Sequence, residues 1–313
     1  MKKILHYLKG HLREDFSPGY YSAIALFLTF SLIFNYYFDF EDSVIDSYHG
    51  SNIRILYYFL FYGFAYYSAV LIMVSFKKNR SLLSNKVFWI KSASVLAILA
   101  LDAAFHYHEI LVNQELSYQL HYWAKKVGKN LINIFTTIIP LWVIYKALDQ
   151  KLESFYGLTL KGFDYKPYVF LLLIMVPLLI AASFIDNFSN FYPIYKANPS
   201  PAYLGVPEWV PAIIYELAYG WNFLTIELVF RGFMILGLAS LMGRNVVIPM
   251  VVTYCFLHFG KPEGEAISSI FGGYILGVIA YESRSILGGV IIHVGVAWLM
   301  ELFAWLQQAL FKS

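Results

Sequence analysis

Four ionisable residues in the C-terminal half stand inside otherwise apolar runs: Glu227, Arg231, His258 and His293, with Glu216 and Glu301 behind them. Such residues cost roughly 2.5–3.5 kcal/mol each at the centre of a membrane helix, so they are functional candidates by default. Glu227 and Arg231 lie in Thr225-Ile226-Glu227-Leu228-Val229-Phe230-Arg231-Gly232. Four residues apart, they share one helix face, with the acid N-terminal to the base. Two readings are open for them. The pair offsets its own desolvation and locks helices together, or the guanidinium holds a working carboxylate charged and in position. His258 ends the run Tyr254-Cys255-Phe256-Leu257-His258, and His293 follows Gly288 and Gly289 and precedes Gly295, glycines that allow close helix approach. One imidazole on an apolar face is ordinarily a hydrogen-bonded core residue. An acid–base pair and two histidines on three separate helices are a different matter. Together they suit activation of water by a carboxylate, with the histidines donating to a developing oxyanion.

The elements that must position these side chains are membrane helices. Of 313 residues, 59 % are hydrophobic and only 14 % charged, against roughly half and a quarter in soluble domains. Aromatic residues make up 19 %, which suits a chain with two membrane–water boundaries to anchor. Cys255 is the single cysteine, which excludes an intrachain disulfide and a cysteine-based metal cluster. A net charge of +3 gives no case for nucleic acid as a partner. About nine apolar runs have spanning length, at roughly 20–40, 53–76, 87–107, 130–148, 168–185, 219–242, 245–260, 265–282 and 286–310. The runs are continuous rather than alternating, which argues against a β-barrel. Glu208 to Leu217 either extends the sixth run or forms a helix of its own, with Gly220 as the joint.

Residues 1–19 read as a basic amphipathic segment on the membrane surface, with Lys2, Lys3, Lys9 and Arg13 around Ile4, Leu5, Leu8 and Leu12. With the N-terminus cytoplasmic, the inner segments add Lys77, Lys78, Arg80, Lys86, Lys146, Lys151, Lys161, Lys166, Arg244 and Arg284 to those four. The outer segments hold half as many: Arg54, Lys125, Lys126, Lys129, Lys196, Lys261 and Lys312. The positive-inside rule therefore favours this orientation. The expected organisation is a set of N-terminal helices over 20–185, a proline-containing loop over 186–207 and a C-terminal core over 208–313. A second polar cluster, Asp102, His106, His108, Glu109 and His121, has metal-ligand residue types but matches no strong zinc spacing. It reads as a polar interfacial loop.

The stretch from about Glu208 to Glu301 resembles the core of the CAAX prenyl protease 2 and bacteriocin-processing family of glutamic-type intramembrane proteases. That family's pattern is Glu-Glu-x-x-x-Arg, then Phe-x-x-x-His, then His-x-x-x-Asn on three successive helices. Glu227 and Arg231 match the second Glu and the Arg, His258 matches the second motif with Tyr254 in the aromatic place, and His293 opens the third. The resemblance implies an all-α polytopic bundle of about eight to nine spans with a four-helix protease-like core. It also implies a bacterial plasma membrane as its place. It further implies hydrolysis of a peptide bond in a membrane-associated peptide or protein, without cofactor or metal, amid membrane lipid. In that scheme Glu227 activates water or supports its activation, Arg231 orients Glu227, and His258 and His293 stabilise the oxyanion. Two positions depart from the pattern. Ile226 stands where the family has its first Glu, taken as the base, and Ala297 stands where it has Asn. Glu216 could replace the lost acid only if the helix breaks at Gly220, since eleven residues of helix span about 16 Å; Glu301 is a weaker substitute. The departures also fit a non-catalytic relative acting in binding, immunity or scaffolding. A transporter would call for helices broken at midplane.

Overall fold

In the computed structural model residues 2–311 are described, so Lys312 of the outer basic set lies outside them. Among the described residues every regular element is helical. Helix α1 (Lys2–Asp15) precedes α2 (Pro18–Phe38) and α3 (Ile53–Lys77). The next apolar stretch holds α4 (Lys86–Ala104) and α5 (Tyr107–Glu115), and the one after it α6 (His121–Leu131) and α7 (Ile139–Ile144). Helix α8 (Lys166–Ser183) leads through the short α9 (Asp186–Phe191) and α10 (Ser200–Leu204) to α11 (Trp209–Glu227). The chain closes with α12 (Ala239–Met242), α13 (Val247–Phe256), α14 (Glu263–Ser283) and α15 (Leu287–Phe311). Eight stretches are long and apolar enough to cross a membrane, and the protein is an all-α, multi-pass membrane bundle.

The expected spans 219–242 and 245–260 merge into one of these stretches, Trp209–Phe256, and residues 257–260 of the second fall beyond its end. It folds back on itself at Gly243, whose φ of 58° lies in the region glycine tolerates. The fold-back brings the Arg231 guanidinium 4.3 Å from the ring centre of Tyr254, 23 residues further on. Gly220 is not a joint: α11 runs through it without a break. Its missing side chain instead admits the Trp298 indole, which would lie 2.8 Å from an added Cβ. After Glu227 the helix widens into π-helical turns over Leu228–Gly237, a form often found at functional sites.

Helix α13 has ten residues, so it is about 15 Å long, half of a bilayer core of about 30 Å. The non-helical segment 257–262 after it must therefore have its backbone satisfied inside the protein. The neighbouring α2 and the residues after it do this. Asn35 donates to the Phe259 carbonyl at 3.1 Å and Tyr36 to the Lys261 carbonyl at 2.8 Å. Glu41 packs against Gly260, where a Cβ would come within 2.5 Å of its Oε2.

One continuous apolar core joins the two halves of the chain. It includes Tyr66, Phe88 and Leu96 from the N-terminal helices and Phe230, Phe233, Val251 and Phe256 from the C-terminal ones. A buried polar tie crosses it. Lys91 of α4 pairs with Asp149 and donates to the Gly237 carbonyl at 2.6 Å, while Tyr156 donates to Asp149 at 2.9 Å. Helix α1 is docked as well as amphipathic. Ile4, His11 and Asp15 are buried, His11 bonds Tyr274 of α14 at 3.0 Å, and Leu5 and Leu12 stay exposed.

Candidate functional site

Glu227 and Arg231 have no exposed surface. The Arg231 Nη1 lies 2.8 Å from Glu227 Oε1, closing the pair between turns of one helix. The same oxygen is 3.0 Å from His293 Nδ1 on α15. This approach depends on Gly289, because a Cβ there would sit 2.1 Å from Glu227 Oε2. A carboxylate only accepts, which assigns the proton of the neutral His293 ring to Nδ1. Its Nε2 then accepts from the Tyr254 hydroxyl, 3.2 Å away. Arg231, Glu227, His293 and Tyr254 thus form one chain of ion pair, hydrogen bonds and ring contact through three helices. Phe223, with its ring centre 4.4 Å from that of His293, fixes the imidazole from the other side.

His258 sits just past the end of α13. Its Nδ1 lies 2.8 Å from the Tyr254 carbonyl, so that nitrogen carries the proton and Nε2 is the acceptor of the neutral ring. Glu265 Oε1 is 4.0 Å from Nε2 and pairs with Lys261, while Oε2 accepts from the Tyr192 hydroxyl at 2.8 Å. The rings of Tyr254 and His258 meet edge to face at 4.6 Å.

A cavity of about 510 Å³ opens over these groups, and Tyr254, His258 and His293 line it. Glu227 does not. Ile226 lines the cavity beside its sealed neighbour, and Asp102 and Thr137 face it from the N-terminal helices. Lys126, Lys129, Lys196 and Lys261 complete its polar wall. The loop expected as a mere boundary contributes Phe191, Ile194 and Lys196, and Glu301 holds it there by accepting from the Ile194 N–H at 2.8 Å. Glu216 stays one helical segment away with α11 unbroken, and Trp298 donates to its carbonyl at 3.0 Å. Ala297 is buried and packs with Tyr215, Tyr219 and Phe223, and it is not among the residues that line the cavity.

Residues 208–299 match the family model of the Rce1-like type II CAAX prenyl endopeptidases. This segment is Rce1-like. The resemblance read from the motifs is thereby borne out over the core, under a third of the chain, and the matched family is a protease family. No curated protein and no solved structure matches the chain.

The Rce1-like segment supplies three helices of the site and leaves the rest of the cavity to residues outside it. The motif reading gives Tyr254 only an aromatic place and gives the lysines none. Tyr254 registers in sequence only as an aromatic, yet its hydroxyl bonds His293 beside the cavity that both line. The lysines registered only as outer charges. Four of the seven outer basic residues, Lys126, Lys129, Lys196 and Lys261, turn out to share one cavity wall. The second polar cluster does not gather. Asp102 accepts from Thr136, His106 faces the Ala104 carbonyl, Glu109 lies against His49 and His121 bonds the Leu116 carbonyl. Among the described residues the one trio of ligating side chains within mutual reach is Glu41, Asp42 and Asp46, and Arg54 and Tyr58 already pair with it.

Proposed function

We propose that the protein hydrolyses a peptide bond in a membrane-associated peptide or protein, with the reaction in the cavity lined by Tyr254, His258 and His293. The observation that carries this reading is the relay Arg231–Glu227–His293–Tyr254 ending at a polar cavity that His258 also faces. In this scheme Glu227 supports water activation and does not perform it. Its Oε1 is taken by Arg231 and His293, and its carboxylate is sealed from the cavity. What it does is fix the tautomer and aim of His293, as a buried acid does for a catalytic imidazole. Arg231 keeps that acid charged and in place.

The scissile carbonyl lies against Tyr254, whose hydroxyl turns from His293 Nε2 to the developing oxyanion. A hydroxyl held beside the reacting carbonyl in a water-poor site needs only that rotation to donate to the oxyanion. His258, protonated on Nδ1, presents Nε2 as an acceptor and so holds the attacking water. The lysine wall suits a substrate whose bound segment carries carboxylates. With the N-terminus cytoplasmic, the exposed Lys129 and Lys196 put the mouth on the outer side.

The test is cleavage of membrane-tethered acidic peptides by the purified protein in lipid nanodiscs. His258→Ala and His293→Ala are each expected to lower kcat by on the order of 10²-fold or more. Equal cleavage by wild type and both variants would refute the assignment. The rival reading is a non-catalytic binding or scaffold protein, favoured by Ile226 at the cavity wall and by the apolar nest of Ala297. Under that reading wild type is inactive, and Ile226→Glu with Ala297→Asn creates cleavage.

A further inference from the structure

We propose that Asp102 is the proton acceptor for the attacking water, a catalytic residue on α4 and outside the segment 208–299. The inference rests on the hydrolytic reading above and supplies the base which that reading lacks. Three observations carry it. Among the described residues lining the cavity, Asp102 is the one carboxylate; Glu227, Glu216, Glu265 and Glu301 all lie outside that lining. Asp102 keeps some exposed surface and lines the cavity, whereas Glu227 has none and does not. Finally, Asp102 is held by a hydroxyl, that of Thr136, and among the described residues no cation pairs with it within 4 Å. It can therefore take a proton without breaking an ion pair, which Glu227 cannot.

The position has a geometric logic. Asp102 and Ile226 line the same cavity from α4 and α11. Position 226 of α11 offers an apolar side chain, and α4 brings the acid to the same cavity. Asn133 fixes the relation between these walls, donating to Asn222 and to Thr225 of α11, each at 2.9 Å. Asn133 lies one turn before Thr136, the residue that holds Asp102.

In the proposed step a water in the cavity that both His258 and Asp102 line gives one proton to the Asp102 carboxylate. Its oxygen forms a bond to the carbonyl carbon, and the carbonyl π pair moves onto oxygen, which accepts from the Tyr254 hydroxyl. On collapse the C=O bond reforms and the C–N bond breaks. The proton held by Asp102 passes to the leaving nitrogen. The carboxylate is restored, and one water has been divided between a new carboxyl and a new amine.

The experiment compares wild type with Asp102→Asn, Asp102→Ala and the double variant Asp102→Asn/Ile226→Glu in nanodiscs, on a membrane-tethered acidic peptide. Asp102→Asn is expected to lower kcat on the order of 10²–10⁴-fold, as loss of a general base does. KM should stay within about twofold, because no binding contact is removed. The acid limb of the kcat/KM profile should disappear with it. Formate should restore part of the activity of Asp102→Ala, entering the space left by the side chain, and none of the activity of His258→Ala. The double variant should regain cleavage, since the change at Ile226 returns a carboxylate to the same cavity. If the Asp102 variants fail to fold, Thr136→Val carries the test by removing a hydroxyl that donates to the carboxylate, and an unchanged kcat counts against the proposal. Cleavage by Asp102→Asn at the wild-type rate overturns Asp102 and leaves the hydrolytic reading standing. A wild type that cleaves nothing while Ile226→Glu gains activity overturns both.

Discussion

Removing the charge of Glu227 while leaving Arg231 in place tests whether the buried pair is the keystone of the site. Both side chains have no exposed surface, and the 2.8 Å contact between them is the one ion pair Arg231 makes among the described residues. Glu227→Gln leaves a guanidinium in the core with no counter-charge. Breaking a buried pair from one side typically costs about 3–5 kcal/mol. Arg231→Met strands the carboxylate and should cost a similar amount. The Tyr254 ring, 4.3 Å from the guanidinium, then keeps a sulfur contact in place of a cation–π contact worth up to about 2 kcal/mol. The double variant removes both charges and their shared desolvation penalty, so it should be more stable than either single variant. The expected coupling is about 3 kcal/mol or more, against the few tenths found for independent sites. Reversible unfolding in detergent, followed by tryptophan fluorescence, measures the cycle. Activity separates the two roles of the acid. The double variant recovers stability but loses the carboxylate that aims His293, so its kcat should stay down by on the order of 10²-fold. Additive stability changes, within about 0.5 kcal/mol, would refute the coupling. Full activity in the double variant would refute the positioning role.

The same geometry sets the outcome of other changes. Gly289→Ala puts a Cβ 2.1 Å from Glu227 Oε2, and overpacking of this kind typically costs about 1–3 kcal/mol; the melting temperature should fall, with kcat falling more than KM rises. Tyr254→Phe keeps the stack on Arg231 and deletes the hydroxyl 3.2 Å from His293; kcat should drop on the order of 10²-fold with stability nearly unchanged, as for loss of one oxyanion donor. Lys126→Glu/Lys129→Glu should raise KM for acidic peptides and flatten its rise with ionic strength, because screening then has less attraction to weaken. Glu41, outside the spanning stretches, is pushed up to about 7 by burial and by Asp46 and Asp42 nearby, against the opposing hydrogen bond from Tyr58. The folded carboxyl therefore keeps a proton that the unfolded chain releases from about pH 4.5 upward. Stability should fall as pH rises from about 4.5 to about 7, by no more than about 1.4 kcal/mol per unit, and level off above. Glu41→Gln should abolish that slope, and melting curves at pH 4.5, 6 and 7.5 would show whether it does.

The class of the molecule and the helices that carry its chemistry are legible in the chain alone. Apolar runs of spanning length with little charge allow only helices in a membrane, because each backbone group must be satisfied within its own segment. The four-residue spacing of Glu227 and Arg231 places them on one face whatever lies around them. Pro262 and the acids Glu263 and Glu265 mark the start of α14, where the helix dipole favours negative charge. Everything that depends on distance between helices had to wait for the packed fold. Gly220 is equally a hinge or a packing surface until the Trp298 indole is seen to fill it. A lone tyrosine at 254 is an aromatic until a fold-back at Gly243 lays it on Arg231 and α15 brings His293 to its hydroxyl. Nor can periodicity show that Asp102, 125 residues before Glu227 in the chain, faces the cavity while Glu227 is sealed from it. Local pattern fixes which way a side chain points from its own helix. Which charge ends in water and which in the core is set by the neighbours that close over it.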